Sequence, residues 1–67
     1  MEKLKKAELI WIASKMFAKG YSGDDVRYSD DLYGNEDQFD EVNEYMNELS
    51  KFGQIAFYEK YKEFKLY

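Results

Sequence analysis

The window from Lys6 to Ala18, KAELIWIASKMFA, constrains the fold more than any other stretch, because no other carries so much apolar surface. Set on a helix at about 100° per residue, Leu4, Ala7, Ile10, Trp11, Phe17 and Ala18 share one broad face, while Leu9, Ile12 and Met16 fall nearly opposite. A surface helix needs one apolar face; a helix with two has to be sandwiched. Either the rest of the chain covers both sides, or a partner covers one. Coverage by the chain itself is the simpler expectation, since apolar stripes at helical spacing mostly belong to a core.

At 67 residues there is room for one domain, residues 1–67, and a core of this size leaves only about 3–5 kcal/mol of net stability. Small chains often add disulfides or a structural metal. This one contains no Cys and no His, which excludes disulfides, zinc sites built on Cys or His, and iron–sulfur clusters. No metal or other cofactor is expected. One Trp, seven Tyr and five Phe supply instead the rings that bury most surface. The longest uninterrupted apolar run, Leu9 to Ala13, falls far short of the roughly 20 residues of a membrane span. Glu8 and Lys15 interrupt what would be the apolar region of a signal peptide, so the chain reads as cytoplasmic, with Met1 as its native start.

The net charge of −4 conceals a division along the chain. Residues 1–20 carry five Lys and two Glu, residues 21–50 carry one Arg and ten carboxylates, and residues 51–67 carry four Lys and two Glu. The middle is strongly acidic between mildly basic ends, and ten carboxylates against Arg27 leave most of the acid to water or a partner.

The punctuation of the sequence sets the elements. A first helix runs from Glu2 or Lys3 to Lys19 and ends at Gly20 in the left-handed position. Ser22, with Asp25 three residues on, predicts the N-cap of a short second helix through Tyr33. Asn35 with Gln38 has the form of a capping box, and Phe39, Val42, Met46 and Leu49 follow at 3, 4 and 3 spacing as one apolar stripe of a third helix closed by Gly53. The tail QIAFYEKYKEFKLY admits two readings. As a helix it puts Phe57, Tyr61 and Phe64 on a narrow stripe. As a hairpin turning at Lys60 and Tyr61 it pairs Ile55 with Leu66, Phe57 with Phe64 and Glu59 with Lys62. Lys-Tyr is a poor two-residue turn, but the aromatic cross-strand pairs favour the hairpin. The expected fold is α+β and predominantly helical: three helices, the second short, then a C-terminal β-hairpin. The alternative is an all-α four-helix domain.

With the hairpin in place the chain resembles a minimal winged-helix domain, in which the third helix ends at a Gly and an apolar residue enters the first wing strand. Leu49, Phe52, Gly53, Ile55, Phe64 and Leu66 carry that resemblance, over the last third of the chain. The resemblance implies DNA binding through the third helix. Charge opposes it: between Asn35 and Ser50 there is no Lys or Arg, while Glu36, Asp37, Asp40, Glu41, Glu44 and Glu48 are all acidic. A basic surface made of Lys3, Lys5, Lys6, Lys60, Lys62 and Lys65 is what remains for a DNA-binding regulator.

Other chemistry is poorly provided for. Without His or Cys the usual acid–base and thiol schemes are closed, and Ser14, Ser22, Ser29 and Ser50 sit in no nucleophile motif, so no enzyme activity is expected. The aspartates fail the calcium-loop spacing: counted from Asp30, the third and fifth positions are Leu32 and Gly34. The reading that remains is a small acidic protein-binding module, resembling in general type the small accessory proteins of phages and mobile elements. In that reading Asp37, Asp40, Glu41, Glu44 and Glu48, extended by Asp30 and Asp31 and flanked by Tyr45, present a DNA-mimicking surface to the basic groove of a nucleic-acid-binding protein and inhibit it. The rivals are the DNA-binding regulator and a structural homodimer formed through the spare stripe of the first helix.

Overall fold

A computed structural model of the chain describes residues 3–21 and 23–64. Four α-helices appear in order: α1 (Lys6–Ala18), α2 (Gly23–Arg27), α3 (Phe39–Phe52) and α4 (Gln54–Lys60). Single 3-10 turns at Asp30–Leu32, Glu36–Gln38 and Lys62–Phe64 join or follow them, and no strand occurs among the described residues. The fold is all-α.

The first helix starts and stops as local chemistry dictates. Lys5 is extended, and its N–H donates to Glu8 Oε1 at 3.2 Å, which satisfies one of the donors a helix start leaves open. At the other end Gly20, at φ 82°, donates to the Phe17 carbonyl and Tyr21 donates to that of Met16. Those two bonds make up a Schellman closure.

The predicted hairpin is overturned. Residues 54–60 are helical, with the Phe57 N–H donating to the Gly53 carbonyl at 3.2 Å and Tyr61 to Phe57 at 3.0 Å. In a helix, Phe57 and Tyr61 stand one turn apart on a common face and both enter the core. Ile55 is thrown to the opposite side and is 86% exposed, where a strand would have aligned it with Phe57. The tail offers no residue suited to a two-residue turn, whereas Gly53 allows α3 to stop and a new helix to begin at once. The wing strands that the winged-helix resemblance implies are therefore missing among the described residues. Ile55 lies on α4, Phe64 in a 3-10 turn, and Leu66 outside the described residues. The second predicted helix is also divided, into α2 and the turn at Asp30–Leu32; Ser22, its expected cap, lies outside the described residues.

The core is built on α1 against α3. Leu9, Ile10, Ile12, Ala13 and Met16 of α1 meet Phe39, Val42, Met46 and Leu49, and Val26, Leu32, Phe57 and Tyr61 close the cluster. The 3, 4, 3 stripe of α3 is thus buried throughout. On α1 the two expected stripes merge instead into one buried arc of about 200°, which runs from Ile12 through Leu9 and Ala13 to Ser14. Outside that arc Ala7 and Ala18 are exposed and Trp11 is 47% exposed, although the sequence pattern had placed them on a buried face.

A long-range clamp fixes the entry to this bundle. Gln38 is buried, its Oε1 accepts from the Leu4 N–H at 2.8 Å, and its Nε2 donates to the Leu4 carbonyl at 3.1 Å. Neither Asn35 nor Gln38 makes a side-chain capping bond. The capping-box expectation misread Gln38, whose amide satisfies an extended segment 34 residues away.

Candidate functional site

Most of the predicted acidic residues reach solvent, but not as one row. Asp37 lies in the 3-10 turn before α3, and Asp40, Glu41 and Glu44 lie on α3; all four are exposed, as is Glu36. None of these five forms an ion pair among the described residues. Asp40 and Glu41 occupy the first turn of α3, where the positive end of the helix dipole favours negative charge. Glu44, a turn later, gains nothing from the dipole and has like charges at both i−3 and i−4.

Two members of the predicted set are neutralised within the fold. Asp31 accepts from Lys15 Nζ at 2.8 Å. Glu48 takes Lys60 Nζ on Oε1 at 2.6 Å and the Tyr61 hydroxyl on Oε2 at 2.8 Å, which ties α3 to α4 and its C-terminal end. The Lys60 hydrogen bond, aided by that of Tyr61, holds the Glu48 carboxyl below its ordinary range against an opposing effect of burial. The Glu48 contact in turn raises Lys60, while burial and then the Glu48 hydrogen bond raise Tyr61. Asp30 remains exposed.

Tyr45 belongs to the packing and not to the acidic face. It is half-buried, and its ring meets Phe57 and Tyr61 edge-on at centroid distances of 6.3 and 5.6 Å. Phe57 and Tyr61 are 4.7 Å apart, and Phe64 extends the group. Such edge-to-face pairs contribute about 0.5–1.5 kcal/mol each beyond area burial. The Tyr45 hydroxyl still senses the acid nearby: burial raises its pKa first, and Glu41, Glu48 and Glu44 add to the shift.

The basic ends are partly consumed as well. Lys60 is held by Glu48, and Lys62 lies 3.7 Å from Glu59. Lys3, Lys5 and Lys6 are exposed, whereas Lys65 lies outside the described residues.

Sequence reasoning missed a second kind of surface. Phe52 is 61% exposed and lines a depression with Glu48, Ala56, Phe57 and Lys60, while Ile55, 86% exposed, projects from another side of α4. Trp11, with Lys15 Nζ stacked 4.2 Å from its ring centroid, lines a shallow hollow with Ser14, Ala18 and Tyr58. Ile55 at 160° from Phe57 on a helical wheel was the available signal, and it is visible only once the tail is read as a helix.

Among the described residues no group of three or more acidic side chains is placed to hold a metal ion, and no helix is long and apolar enough to cross a membrane. Comparison with protein-family models, with curated proteins and with solved structures finds no match.

Proposed function

We propose that this chain is a small protein-binding module that docks on a short basic patch of a partner protein through Glu36, Asp37, Asp40, Glu41 and Glu44. The observation that carries the reading is the set of five exposed carboxylates within nine residues, free of ion pairs among the described residues. Like charges at i,i+3 and i,i+4 each destabilise a helix by roughly 0.2–0.5 kcal/mol, and nothing in the fold offsets that cost at Glu44. From Asp37 to Glu44 the row spans roughly 10 Å at the helical rise. Duplex DNA carries about six charges over that distance. With Glu48 and Asp31 neutralised internally, the surface suits a compact basic patch better than a groove shaped to a length of duplex.

The test is a capture experiment from lysate of the native host with the wild-type chain and with an Asp40→Lys, Glu41→Lys, Glu44→Lys variant. A partner held by the wild type, released by salt and lost with the variant supports the reading; identical capture by both removes it. Glu48 is left intact in this variant, because its loss would disturb α4. In a gel-shift titration at low salt the wild-type chain is expected to leave duplex DNA unshifted, and a shift would favour the DNA-binding regulator.

A further inference from the structure

Residues 21–50 contain ten carboxylates and one cation, Arg27. Attraction in so acidic a segment favours pairing, and carboxylates are close in sequence: Asp24 lies three residues before Arg27 and Asp30 three after. Yet Arg27 forms no ion pair among the described residues, and Asp24 and Asp30 form none either. Asp31, four residues on, is taken by Lys15 of α1. The Arg27 guanidinium lies instead over Phe39, its carbon 4.4 Å from the ring centroid. Arg27 closes α2, Phe39 opens α3, and the two helices pack against each other.

That position has a chemical consequence. A guanidinium is planar, with its N–H donors around the edge, so a ring against its face leaves the donor fork open. Arg27 is exposed, and the fork reaches solvent. Contact with the ring also restrains the side chain, so less freedom is lost when the fork closes on a ligand. A restrained, unpaired fork matches a carboxylate, which it binds through two parallel N–H···O bonds. Through Phe39 it is held at the N-terminal end of α3, the end that also carries Glu36, Asp37, Asp40 and Glu41. A uniformly basic patch brought against that end would meet Arg27 with repulsion. We infer that Arg27 sets the register of docking by taking one carboxylate of the partner protein, an Asp or Glu at the border of the partner's basic patch. The inference rests on the docking reading above. A protein supplies that mixture of signs, whereas a nucleic acid, with every backbone phosphate negative, would meet five unpaired carboxylates for one guanidinium.

Fluorescence anisotropy of the full chain with a synthetic probe tests this. The probe is a labelled lysine-rich helical peptide in which a single glutamine, or a single glutamate, is moved along the sequence one position at a time. The glutamine peptides should bind the wild-type chain at low salt and lose binding to the Asp40→Lys, Glu41→Lys, Glu44→Lys chain. Glutamate should weaken binding to the wild type wherever it meets acid, but not at the position that reaches Arg27. Arg27→Gln should weaken that glutamate peptide about fivefold and tighten its glutamine counterpart, with far-UV circular dichroism unchanged. Arg27→Lys, which keeps the charge without the fork, should fall between the two. Opposite effects on the two peptides are what a role confined to packing over Phe39 does not produce. If glutamate weakens binding equally at every position, or Arg27→Gln shifts both peptides alike, the inference is overturned and the docking reading stands. Glutamine peptides that fail to bind the wild type remove the docking reading, and this inference with it.

Discussion

At the scale of single residues, two polar side chains carry long-range connections, and each yields a prediction. The amide of Gln38 supplies both an acceptor and a donor to Leu4, so Gln38→Ala leaves a part-buried backbone pair without its partners. An unfolding free energy lower by about 1–3 kcal/mol is expected in urea denaturation. Glu48 gives a pH dependence. Its carboxyl is lowered in the folded state by Lys60 and then Tyr61, so the stability it contributes is present above the ordinary carboxylate range and lost as pH falls through the folded value. Lys60 and Tyr61 are raised, so their contribution is present below their ordinary values, near pH 10, and lost as pH climbs past the folded ones. Thermal midpoints across pH should show a plateau between these limits, and Glu48→Gln should flatten its acid edge. An acid edge unchanged in that variant would mean that other carboxylates set it. Neither role was legible in the sequence. A Gln three residues after an Asn reads as a cap, and an acid in an acidic run reads as surface, because the partners are 34 and 12 residues away.

Among the elements, α1 and α3 were readable because period and punctuation agree in them: an apolar stripe of helical spacing, closed by Gly20 or by Gly53. The C-terminal stretch was not, since Phe57, Tyr61 and Phe64 suit a helix face while Phe57 and Phe64 also suit a cross-strand pair. What separates the two readings is Gly53. It adopts φ 89° and ψ 162°, a backbone region essentially confined to glycine, and so redirects the chain within one residue from the end of α3 to the start of α4. A Cβ built there meets nothing within 4 Å, so Gly53→Ala carries a conformational cost alone. Destabilisation of about 1–3 kcal/mol is expected, without loss of helical circular dichroism. A neutral substitution would show that the junction tolerates another backbone path. Packing within α3 sets a second scale. Leu49→Ala removes a buried side chain at the C-terminal end of the stripe and should cost about 2–5 kcal/mol, most or all of what a core of this size provides.

On the scale of the whole molecule, exposed charge is unevenly spread: five carboxylates without an ion pair among the described residues fall between Glu36 and Glu44. The sequence displayed the acid plainly, but ion pairing decides which carboxylates are free, and Lys15 and Lys60 removed Asp31 and Glu48 from the expected face. Glu44 separates a functional surface from a structural one. Its neighbours at i−3 and i−4 are Glu41 and Asp40, it lies beyond the first turn where the helix dipole would favour it, and it has no ion pair among the described residues. Glu44→Gln should therefore stabilise the fold, by about 0.4–1 kcal/mol for the two like-charge pairs relieved at Asp40 and Glu41, the charge of Glu48 at i+4 being met by Lys60. The gain should shrink as salt is added, because the repulsion is screened over roughly 10 Å at 0.1 M ionic strength. Paired urea titrations of wild type and variant at low and high salt measure both. A variant less stable than the wild type would mean that Glu44 supports the fold, and the acidic surface would lose its strongest claim to a partner. A more stable variant that releases the partner would identify a residue kept at the expense of stability.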